Sequence, residues 1–495
     1  MGVLSGTAGY LTLGCRVNQY ETEAISEALE AIGFHPAPFG SLCDVYVINT
    51  CAVTEESFRK SRQMVRRAIK RNPNAFVAVC GCASQLEGAA FAAIPGVSFV
   101  CGSRRKDDVV AAIRDRFRRR EGSAAAAISL PDGESDPNAD PAVRPPKKES
   151  VTDADLAVRP SEKKNISGTV LAVRQPEKKS APGAVLAVRP PEGNDTLRVT
   201  RFARARAYVK IEDGCDGKCA YCVIPTVRGG VTLRPEEEIL SEIGALAAGG
   251  CREVVLTGIE TAAYGSRLLP LVKRVAAVPG IERIRFGSLE PTLLRPAFVS
   301  GITAIPAVCP HFHLSVQNGS DRILRLMRRR YNAGAVEEGV ALLRTARPDW
   351  EFSADVIVGF PGETETDFSE TCEFVRRIGF LHLHIFPYSR RPGTEAAAMP
   401  DQIPEAVKAE RLHRLEAIAA EERDKRLLRA LSRREPLTIL VETAEGRVLT
   451  GHSDAFFDCR VTAPADADPD RLRGRFLPFI PEKAENGVLY GSGIR

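Results

Sequence analysis

The segment Asp213-Gly-Cys-Asp-Gly-Lys-Cys-Ala-Tyr-Cys222 decides how this chain is understood, because its three cysteines stand in a C-x-x-x-C-x-x-C spacing. This spacing suits the thiolate ligands of an iron–sulfur cluster. A cubane cluster has four irons and usually takes four cysteines, so Cys215, Cys219 and Cys222 would leave one iron open. The sequence therefore predicts a 4Fe–4S cluster with a free coordination position.

Two other structures are compatible with the same three cysteines. Positions i, i+4 and i+7 share one face of a helix, but the intervening Asp216 and Gly217 favour a turn. A zinc site would need a fourth Cys or His close by, and the next histidines along the chain are His311 and His313. A ligand loop for a cluster is the favoured interpretation.

Length and composition limit the class of protein. A chain of 495 residues predicts two to four domains. The sequence has no apolar run of about 18 residues, so we expect no transmembrane helix and no membrane partner. The N-terminus does not resemble a signal peptide, and an odd count of 13 cysteines indicates a reducing compartment in which thiols serve metal. We expect a cytoplasmic protein.

Residues 8–120 alternate apolar runs with amphipathic stretches, which predicts a doubly wound parallel sheet. The predicted strands are residues 10–13, 45–48, 76–79 and 97–100. Cys15, Cys51 and Cys82 each follow such a strand, and open parallel sheets bind ligands at the carboxyl ends of strands. The three could share one edge, with Cys80 and Cys101 as rivals. The alternative is a set of ordinary buried thiols.

Residues 121–198 differ in composition from the rest of the chain. Ala-Val-Arg recurs every 15 residues, centred on Val143, Val158, Val173 and Val188. Repeats rich in Pro, Lys, Glu and Ser with no aromatic residue cannot bury a core. We interpret this stretch as a disordered insertion between domains.

The remaining chain predicts a second α/β domain and a small β module. Six strands are expected, at residues 208–211, 253–256, 283–286, 312–316, 353–358 and 381–386. Six βα units within residues 201–430 predict a partial (β/α)6 barrel, whose site lies at the C-terminal ends of the strands. The loop that holds Cys215 follows the first strand. Residues 436–495 predict a short antiparallel β-barrel.

A three-cysteine loop on the first strand of a half-open barrel resembles the radical S-adenosylmethionine (SAM) enzymes. Three N-terminal segments are similar to the signatures of the methylthiotransferases within that family. They are Leu13-Gly-Cys-Arg-Val-Asn-Gln-Tyr-Glu-Thr22, Ile48-Asn-Thr-Cys-Ala-Val-Thr54 and Gly81-Cys-Ala-Ser-Gln85. The resemblance implies that Cys15, Cys51 and Cys82 hold a second 4Fe–4S cluster that carries the sulfur. It also implies that SAM binds the open iron of the first cluster, and it gives Cys80 and Cys101 no ligand role.

Other positions resemble SAM contacts of the family. Thr257 and Gly258 resemble the segment that holds the amino group of SAM, and Glu290 and Gln317 resemble polar groups near its ribose. The alternative for each is a strand-end residue that satisfies the backbone. Ile259-Glu-Thr-Ala-Ala departs from the usual histidine-containing segment of the family, which puts the local substrate contacts in doubt.

The substrate follows from the closest subgroup. Gln19-Tyr-Glu-Thr22 and Arg390-Arg-Pro-Gly-Thr-Glu-Ala-Ala-Ala-Met399 resemble the tRNA threonylcarbamoyladenosine methylthiotransferases. This implies that the protein inserts a methylthio group at C2 of N6-threonylcarbamoyladenosine beside the tRNA anticodon, with a flavodoxin or ferredoxin as electron donor. Sister subgroups modify isopentenyladenosine in tRNA or an aspartate of a ribosomal protein. An alternative from another class is a non-catalytic iron–sulfur RNA-binding protein. We expect a monomer.

Basic residues support contact with RNA, because Lys and Arg on one face neutralise phosphates. They cluster at residues 59–71, 114–120 and 325–330. The final module resembles the RNA-binding TRAM domain of the family, although it carries acidic residues. If this module contacts tRNA, we expect Arg471, Arg473 and Arg475 to do so.

Overall fold

The computed structural model describes residues 4–127, 185–189, 196–202 and 204–494. Residues 1–116 and 184–495 form one compact unit, and residues 117–183 are a second unit of which only the helical residues 117–127 are described. No helix in these described ranges is long and apolar enough to cross a membrane. The large unit contains a six-stranded sheet, a partial barrel and a small closed barrel.

The N-terminal sheet has six parallel strands in the order β2-β1-β3-β4-β5-β6, which confirms the parallel α/β fold. The strands are β1 (Gly6–Thr12), β2 (Phe34–Ala37), β3 (Val45–Thr50), β4 (Phe76–Gly81), β5 (Phe99–Cys101) and β6 (Val185–Ala187). The helices are α1 (Arg16–Glu30), α2 (Glu55–Arg71), α3 (Cys82–Ala92) and α4 (Asp107–Ala127). The strand order reverses at β1, so the crevice between the ends of β1 and β3 is a topological switch point.

Two strands of this sheet, β2 and β6, are not among the strands predicted from the sequence. Strand β2 is short, contains Pro36 and lies at an edge, so it lacks the apolar alternation of an ordinary strand. Strand β6 lies in the last 15-residue repeat, within the predicted disordered insertion. It pairs with β5, and a Cβ atom on Gly88 would lie only 2.6 Å from Val188 Cγ2. Most of the predicted insertion, residues 128–184 and 190–195, lies outside the described residues.

The central region forms two parallel sheets, ordered β11-β10-β7 and β12-β13-β14-β15, as expected for a partial barrel. Its strands are β7 (Ala207–Lys210), β8 (Glu212–Asp213), β9 (Thr232–Leu233), β10 (Glu253–Thr257), β11 (Arg283–Phe286), β12 (Ser288–Leu289), β13 (His311–Gln317), β14 (Glu351–Val358) and β15 (His382–Pro387). Its helices are α5 (Ile224–Arg228), α6 (Glu236–Ala248), α7 (Leu268–Ala276), α8 (Pro296–Thr303), α9 (Asp321–Leu326), α10 (Ala333–Ala346), α11 (Glu365–Ile378), α12 (Glu395–Ala398) and α13 (Glu405–Arg433). Strands β8 and β9 pair as a separate antiparallel ribbon.

The C-terminal strands form a closed barrel in the order β16-β17-β18-β20-β19. They are β16 (Leu437–Glu445), β17 (Val448–Ser453), β18 (Asp458–Thr462), β19 (Phe476–Glu485) and β20 (Val488–Gly493). The prediction of an antiparallel barrel is wrong for one pair, because β18 and β20 run parallel. Five strands in a closed ring cannot alternate direction everywhere, so at least one neighbouring pair must be parallel.

Candidate active site

The first group of cysteines lies at the carboxyl ends of three neighbouring strands. Cys15 precedes α1 and follows β1, Cys51 follows β3, and Cys82 follows β4. Because β1, β3 and β4 are adjacent, their ends share the edge at the switch point. A Cβ atom on Gly14 would lie 3.1 Å from Cys51 Sγ, and the three thiols influence one another electrostatically. The structure therefore brings these thiols together.

The rival cysteines lie elsewhere in the same sheet. Cys80 is inside β4 and Cys101 is the last residue of β5, and both are fully buried. Cys15, in contrast, is exposed at the strand end. Cys15 and Cys82 share a polar bridge, because the Cys15 thiol donates to Asn18 Oδ1 over 3.5 Å and Arg228 contacts both Asn18 and Cys82.

Arg228, at the end of α5, joins this group to the other cysteine loop. Its side chain is fully buried, and Nε lies 3.3 Å from Cys82 Sγ. Nη1 donates to Glu21 of α1 and to Asp213, each over 2.9 Å. Asp213 directly precedes the Gly214-Cys215 loop. One guanidinium therefore links the edge of the N-terminal sheet to the start of the loop in the barrel.

The charges around Arg228 control several pKa values. Burial disfavours ionisation of Glu21 and Asp213, but Arg228 and neighbouring lysines outweigh it and lower both pKa values. Burial raises the pKa of Cys82 to about 12 and that of Cys222 to about 11. Thiols must lose their protons to bind iron, so loading a cluster here would release protons.

The second group of cysteines lies in the loop after β8. A Cβ atom on Gly217 would lie 3.0 Å from Cys215 Sγ and 3.9 Å from Cys219 Sγ, so the chain passes close between two thiols. Arg329 Nη1 lies 3.0 Å from Cys219 Sγ, and Cys215 Sγ donates to Glu260 over 2.9 Å. Among the described residues no three Cys, His, Asp or Glu side chains are arranged to hold a single metal ion.

The four residues that resemble SAM contacts lie at the strand ends above the same loop. Thr257 ends β10 and Gly258 follows it, where a side chain would overlap Glu212 Oε1 at 2.0 Å. Glu290 follows β12 and accepts from Arg330 over 2.7 Å. Gln317 ends β13 at φ 70°, where the register with β14 shifts. Their contact with SAM stays a prediction.

The hydrogen bonding of Glu212 shows whether this region suits the amino group of SAM. Its Oε1 accepts from the Glu260 N–H over 2.5 Å, while its buried Oε2 has no hydrogen-bond partner among the described residues. Burial raises the pKa of Glu212 to about 8. A buried carboxyl with one unused acceptor beside Gly258 suits a cationic amino group. The residues present therefore fit the cofactor.

The inside of the barrel is lined by polar side chains. The hydrophobic core takes alternate strand residues such as Phe312 and Ala354, so the intervening side chains project to the inside. His313 Nε2 contacts Asp355 Oδ2 at 3.1 Å, and its ring lies 5.4 Å from that of His384. We call the region around Tyr208, Arg285, His313, Asp355 and His384 the chamber.

The C-terminal barrel covers the end of the chamber opposite the cysteine loop. Phe456, between β17 and β18, stacks on His311 and His452 with ring centroids 4.7 and 4.5 Å away. Arg285 Nη1 and Nη2 donate to the carbonyls of Asp454 and Ser453 over 2.9 and 2.5 Å. The small barrel thus closes the N-terminal ends of the strands.

The roles of Glu260, Arg228 and Arg329 are not predicted by the sequence patterns. Arg329 belongs to the basic cluster at residues 325–330, but its side chain is only 10% exposed and contacts Cys219 and Glu290. Arg330 is more exposed yet pairs with Glu260 and Glu290. The nearby aromatic residue Tyr331 is the sequence signal that could have distinguished Arg329 from its exposed neighbours, because the Arg329 guanidinium lies over the Tyr331 ring, 4.9 Å from its centroid.

Comparison with protein families gives two matches. The Radical SAM superfamily matches residues 209–375, and the Uncharacterized protein family UPF0004 matches residues 7–102. The solved structure of the radical SAM methyltransferase TsrM from Kitasatospora setae, with cobalamin and a 4Fe–4S cluster bound, has a TM-score of 0.51 at 14% identity. It covers 80% of this chain and 77% of its own, and it supports the fold alone.

Curated relatives span nearly the whole chain. The threonylcarbamoyladenosine tRNA methylthiotransferase MtaB of Bacillus subtilis (strain 168) is 33% identical over 464 residues, 91% of this chain and 89% of its own. The tRNA-2-methylthio-N(6)-dimethylallyladenosine synthase of Nitratidesulfovibrio vulgaris strain Hildenborough is 32% identical over 495 residues, 97% of this chain and 96% of its own. Iron–sulfur and SAM chemistry accompany this family. The chain belongs to the radical SAM tRNA methylthiotransferases.

Proposed function

We propose that this protein inserts a methylthio group at C2 of N6-threonylcarbamoyladenosine next to the tRNA anticodon, using two 4Fe–4S clusters and SAM. The observation that carries the proposal is the pair of three-cysteine groups, bridged by Arg228. In this proposal Cys215, Cys219 and Cys222 hold one cluster, and Cys15, Cys51 and Cys82 hold the other. We further expect a cytoplasmic monomer that takes electrons from a flavodoxin or ferredoxin.

The bound cofactors would supply the sulfur, the methyl group and the radical that removes a hydrogen atom from the base. The chain's own residues position and enclose these groups. Glu212 and Gly258 offer the amino group of SAM an acceptor and room, respectively. Arg329 holds a positive charge beside Cys219. The stacked Phe456 closes the far end of the chamber, which helps to exclude water.

The tRNA is proposed to lie along α2, which begins just after Cys51. Lys60, Arg66, Arg67 and Lys70 are exposed on this helix. Arg471, Arg473 and Arg475 are exposed before β19 and could add contacts from the small barrel. Such residues favour phosphate binding without reading base sequence.

Mass spectrometry of tRNA nucleosides from a deletion strain tests the substrate. Loss of the methylthio form of threonylcarbamoyladenosine is expected, and its survival would refute the proposal. Loss of the dimethylallyladenosine form would instead match the relative in Nitratidesulfovibrio vulgaris.

Anaerobic reconstitution tests the two clusters independently. We expect about eight irons per chain together with reductive cleavage of SAM, because two cubane clusters hold four irons each. Cys219→Ala and Cys82→Ala should each lower the iron content by about half, but only Cys219→Ala should abolish SAM cleavage. Four irons without cleavage would favour a non-catalytic binding protein.

A further inference from the structure

Arg16 is a cation of the N-terminal domain that reaches the chamber of the barrel. It is the first residue of α1, directly after Cys15. Its Nη1 lies 3.4 Å from the carbonyl oxygen of Phe286, at the carboxyl end of β11. Tyr208, Asp355 and His384 are close enough to interact with its charge. The guanidinium therefore lies where the cysteine edge of the sheet meets the mouth of the barrel.

Arg16 differs from the other arginines of this region in its lack of an anionic partner. Arg228 pairs with two carboxylates, and Arg285 pairs with Glu253 over 2.8 Å. Within the described ranges, no carboxylate oxygen lies within 4.0 Å of an Arg16 nitrogen, and its one hydrogen bond is long.

The acidic group that interacts with the charge of Arg16 is already engaged by another side chain. Asp355 Oδ2 lies 3.1 Å from His313 Nε2. Arg206 and Arg285 add positive charge on the inner face of the barrel, and both of them contact Glu253 instead of Asp355. Arg16 thus keeps most of its five donors available in a partly buried place, which is unfavourable unless an anion fills it.

The proposed substrate carries such an anion. The threonyl group of N6-threonylcarbamoyladenosine ends in a carboxylate, whereas a dimethylallyl group is apolar. Guanidinium binds carboxylate through two parallel hydrogen bonds, which adds geometric selectivity to charge. We propose that Arg16 binds the carboxylate of the threonylcarbamoyl group and thereby selects this base over dimethylallyladenosine. The inference rests on the proposed function, because it assumes that this nucleoside enters the chamber.

SAM also carries a carboxylate, so the test must separate two sources of the same group. The reconstituted enzyme is given an anticodon stem-loop RNA that contains N6-threonylcarbamoyladenosine, or the same RNA with that carboxylate as a methyl ester. RNA affinity is measured by fluorescence anisotropy, SAM affinity by equilibrium dialysis, and product by mass spectrometry. The proteins are wild type, Arg16→Gln, Arg16→Lys and the exposed control Arg274→Gln.

Wild type and Arg274→Gln should prefer the acid over the ester by about tenfold to a hundredfold, the range of hydrogen bonds to a charged group. Arg16→Gln should bind both RNAs with similar, weak affinity, and Arg16→Lys should keep part of the preference. SAM affinity should stay unchanged. The comparison is a ratio within each protein, so a change in cluster content near Cys15 does not alter its meaning.

Two results would overturn the role of Arg16. One is an acid-to-ester affinity ratio in Arg16→Gln equal to that of wild type. The other is a weaker SAM affinity in Arg16→Gln without a change in the acid-to-ester ratio. Failure of the proposed function looks different, because wild type would then form no methylthio product from the acid RNA. The two failures are therefore distinguishable in one set of assays.

Discussion

At the scale of single residues, the buried Arg228 contacts four other buried side chains, those of Cys82, Glu21, Asp213 and Asn18. Its replacement by Gln would leave Glu21 and Asp213 as buried charges with too few partners. Breaking a buried ion pair in this way typically costs about 3–5 kcal/mol. We expect Arg228→Gln to lower the free energy of unfolding by that amount, measured by urea unfolding of the reconstituted protein.

A matched control is available on the surface. Arg62 pairs with Glu87, and both side chains are well exposed. Exposed pairs contribute less than about 1 kcal/mol, so Arg62→Gln should have little effect on the urea midpoint. If Arg228→Gln were no more destabilising than Arg62→Gln, the bridging role of Arg228 would be wrong.

Arg329 gives a second prediction at this scale. Its positive charge lies 3.0 Å from Cys219 Sγ and would stabilise the more negative, reduced state of a cluster on that loop. We expect Arg329→Gln to lower the reduction potential by roughly 60 mV, a tenfold change in the one-electron equilibrium. An EPR-monitored redox titration measures it.

The adjacent residue provides the comparison for that titration. Arg328 is exposed and pairs with Glu395. Arg328→Gln should leave the reduction potential unchanged. Arg329→Lys should give a reduction potential close to that of wild type, because the positive charge is retained. Equal potentials for Arg328→Gln and Arg329→Gln would contradict the proposed effect of charge.

At the scale of elements, β10 begins with a carboxylate that joins three strands. Glu253 pairs with Arg206, which precedes β7, and with Arg285 of β11, and both arginines also contact the C-terminal barrel. Burial disfavours the charge of Glu253, but Arg285, Arg206 and Arg283 outweigh it and hold its pKa at about 2. A carboxyl group in an unfolded chain titrates near 4.3.

The lowered pKa of Glu253 predicts an acid-dependent contribution to stability. Glu253 stabilises the fold above about pH 5, and this contribution is lost as the pH falls toward 2, by up to about 1.4 kcal/mol per pH unit. The destabilisation caused by Glu253→Gln should therefore be largest near pH 7 and shrink below pH 4 in urea unfolding of cluster-free protein. Glu282→Gln, on an exposed pair with Arg252, should show a small effect throughout. A destabilisation by Glu253→Gln that does not change with pH would refute this prediction.

The sequence predicts most secondary-structure elements but not their order in the sheets. Apolar runs predicted most strands, because a parallel sheet is buried on both faces. The runs could not predict the order β2-β1-β3, which places Cys15 and Cys51 at neighbouring strand ends. Contacts such as Arg228 with Cys82 join residues 146 positions apart, and no local pattern encodes them.

At the scale of the whole molecule, the exposed basic face of α2 predicts the salt dependence of tRNA binding. Arg66 and Arg67 are exposed, and among the described residues no carboxylate oxygen lies within 4.0 Å of either side chain. If both contact phosphates, the double variant Arg66→Ala/Arg67→Ala should reduce the slope of log K against log salt by about 2. Filter binding at several salt concentrations measures the slope. Arg274→Ala, on α7 and paired with Glu236 and Glu237, should not change it.

The last prediction concerns the repeat-containing insertion. The sequence predicts a disordered insertion over residues 121–198, but β6 lies within this range and covers the edge of β5. Replacing residues 128–184 with a flexible Gly-Ser linker should keep iron content and tRNA methylthiolation near wild type, because β6 remains.

Extending the same replacement through residue 189 should expose the unpaired edge of β5, whose residues Phe99–Cys101 are buried. Exposed apolar edges pair with other chains, so size-exclusion chromatography should show aggregation of this longer deletion only. Gln85 Nε2, which donates to the Arg189 carbonyl over 2.8 Å, would lose its partner as well. Equal behaviour of the two deletions would mean that β6 is dispensable, and loss of activity in the shorter one would mean that the repeats are more than a spacer.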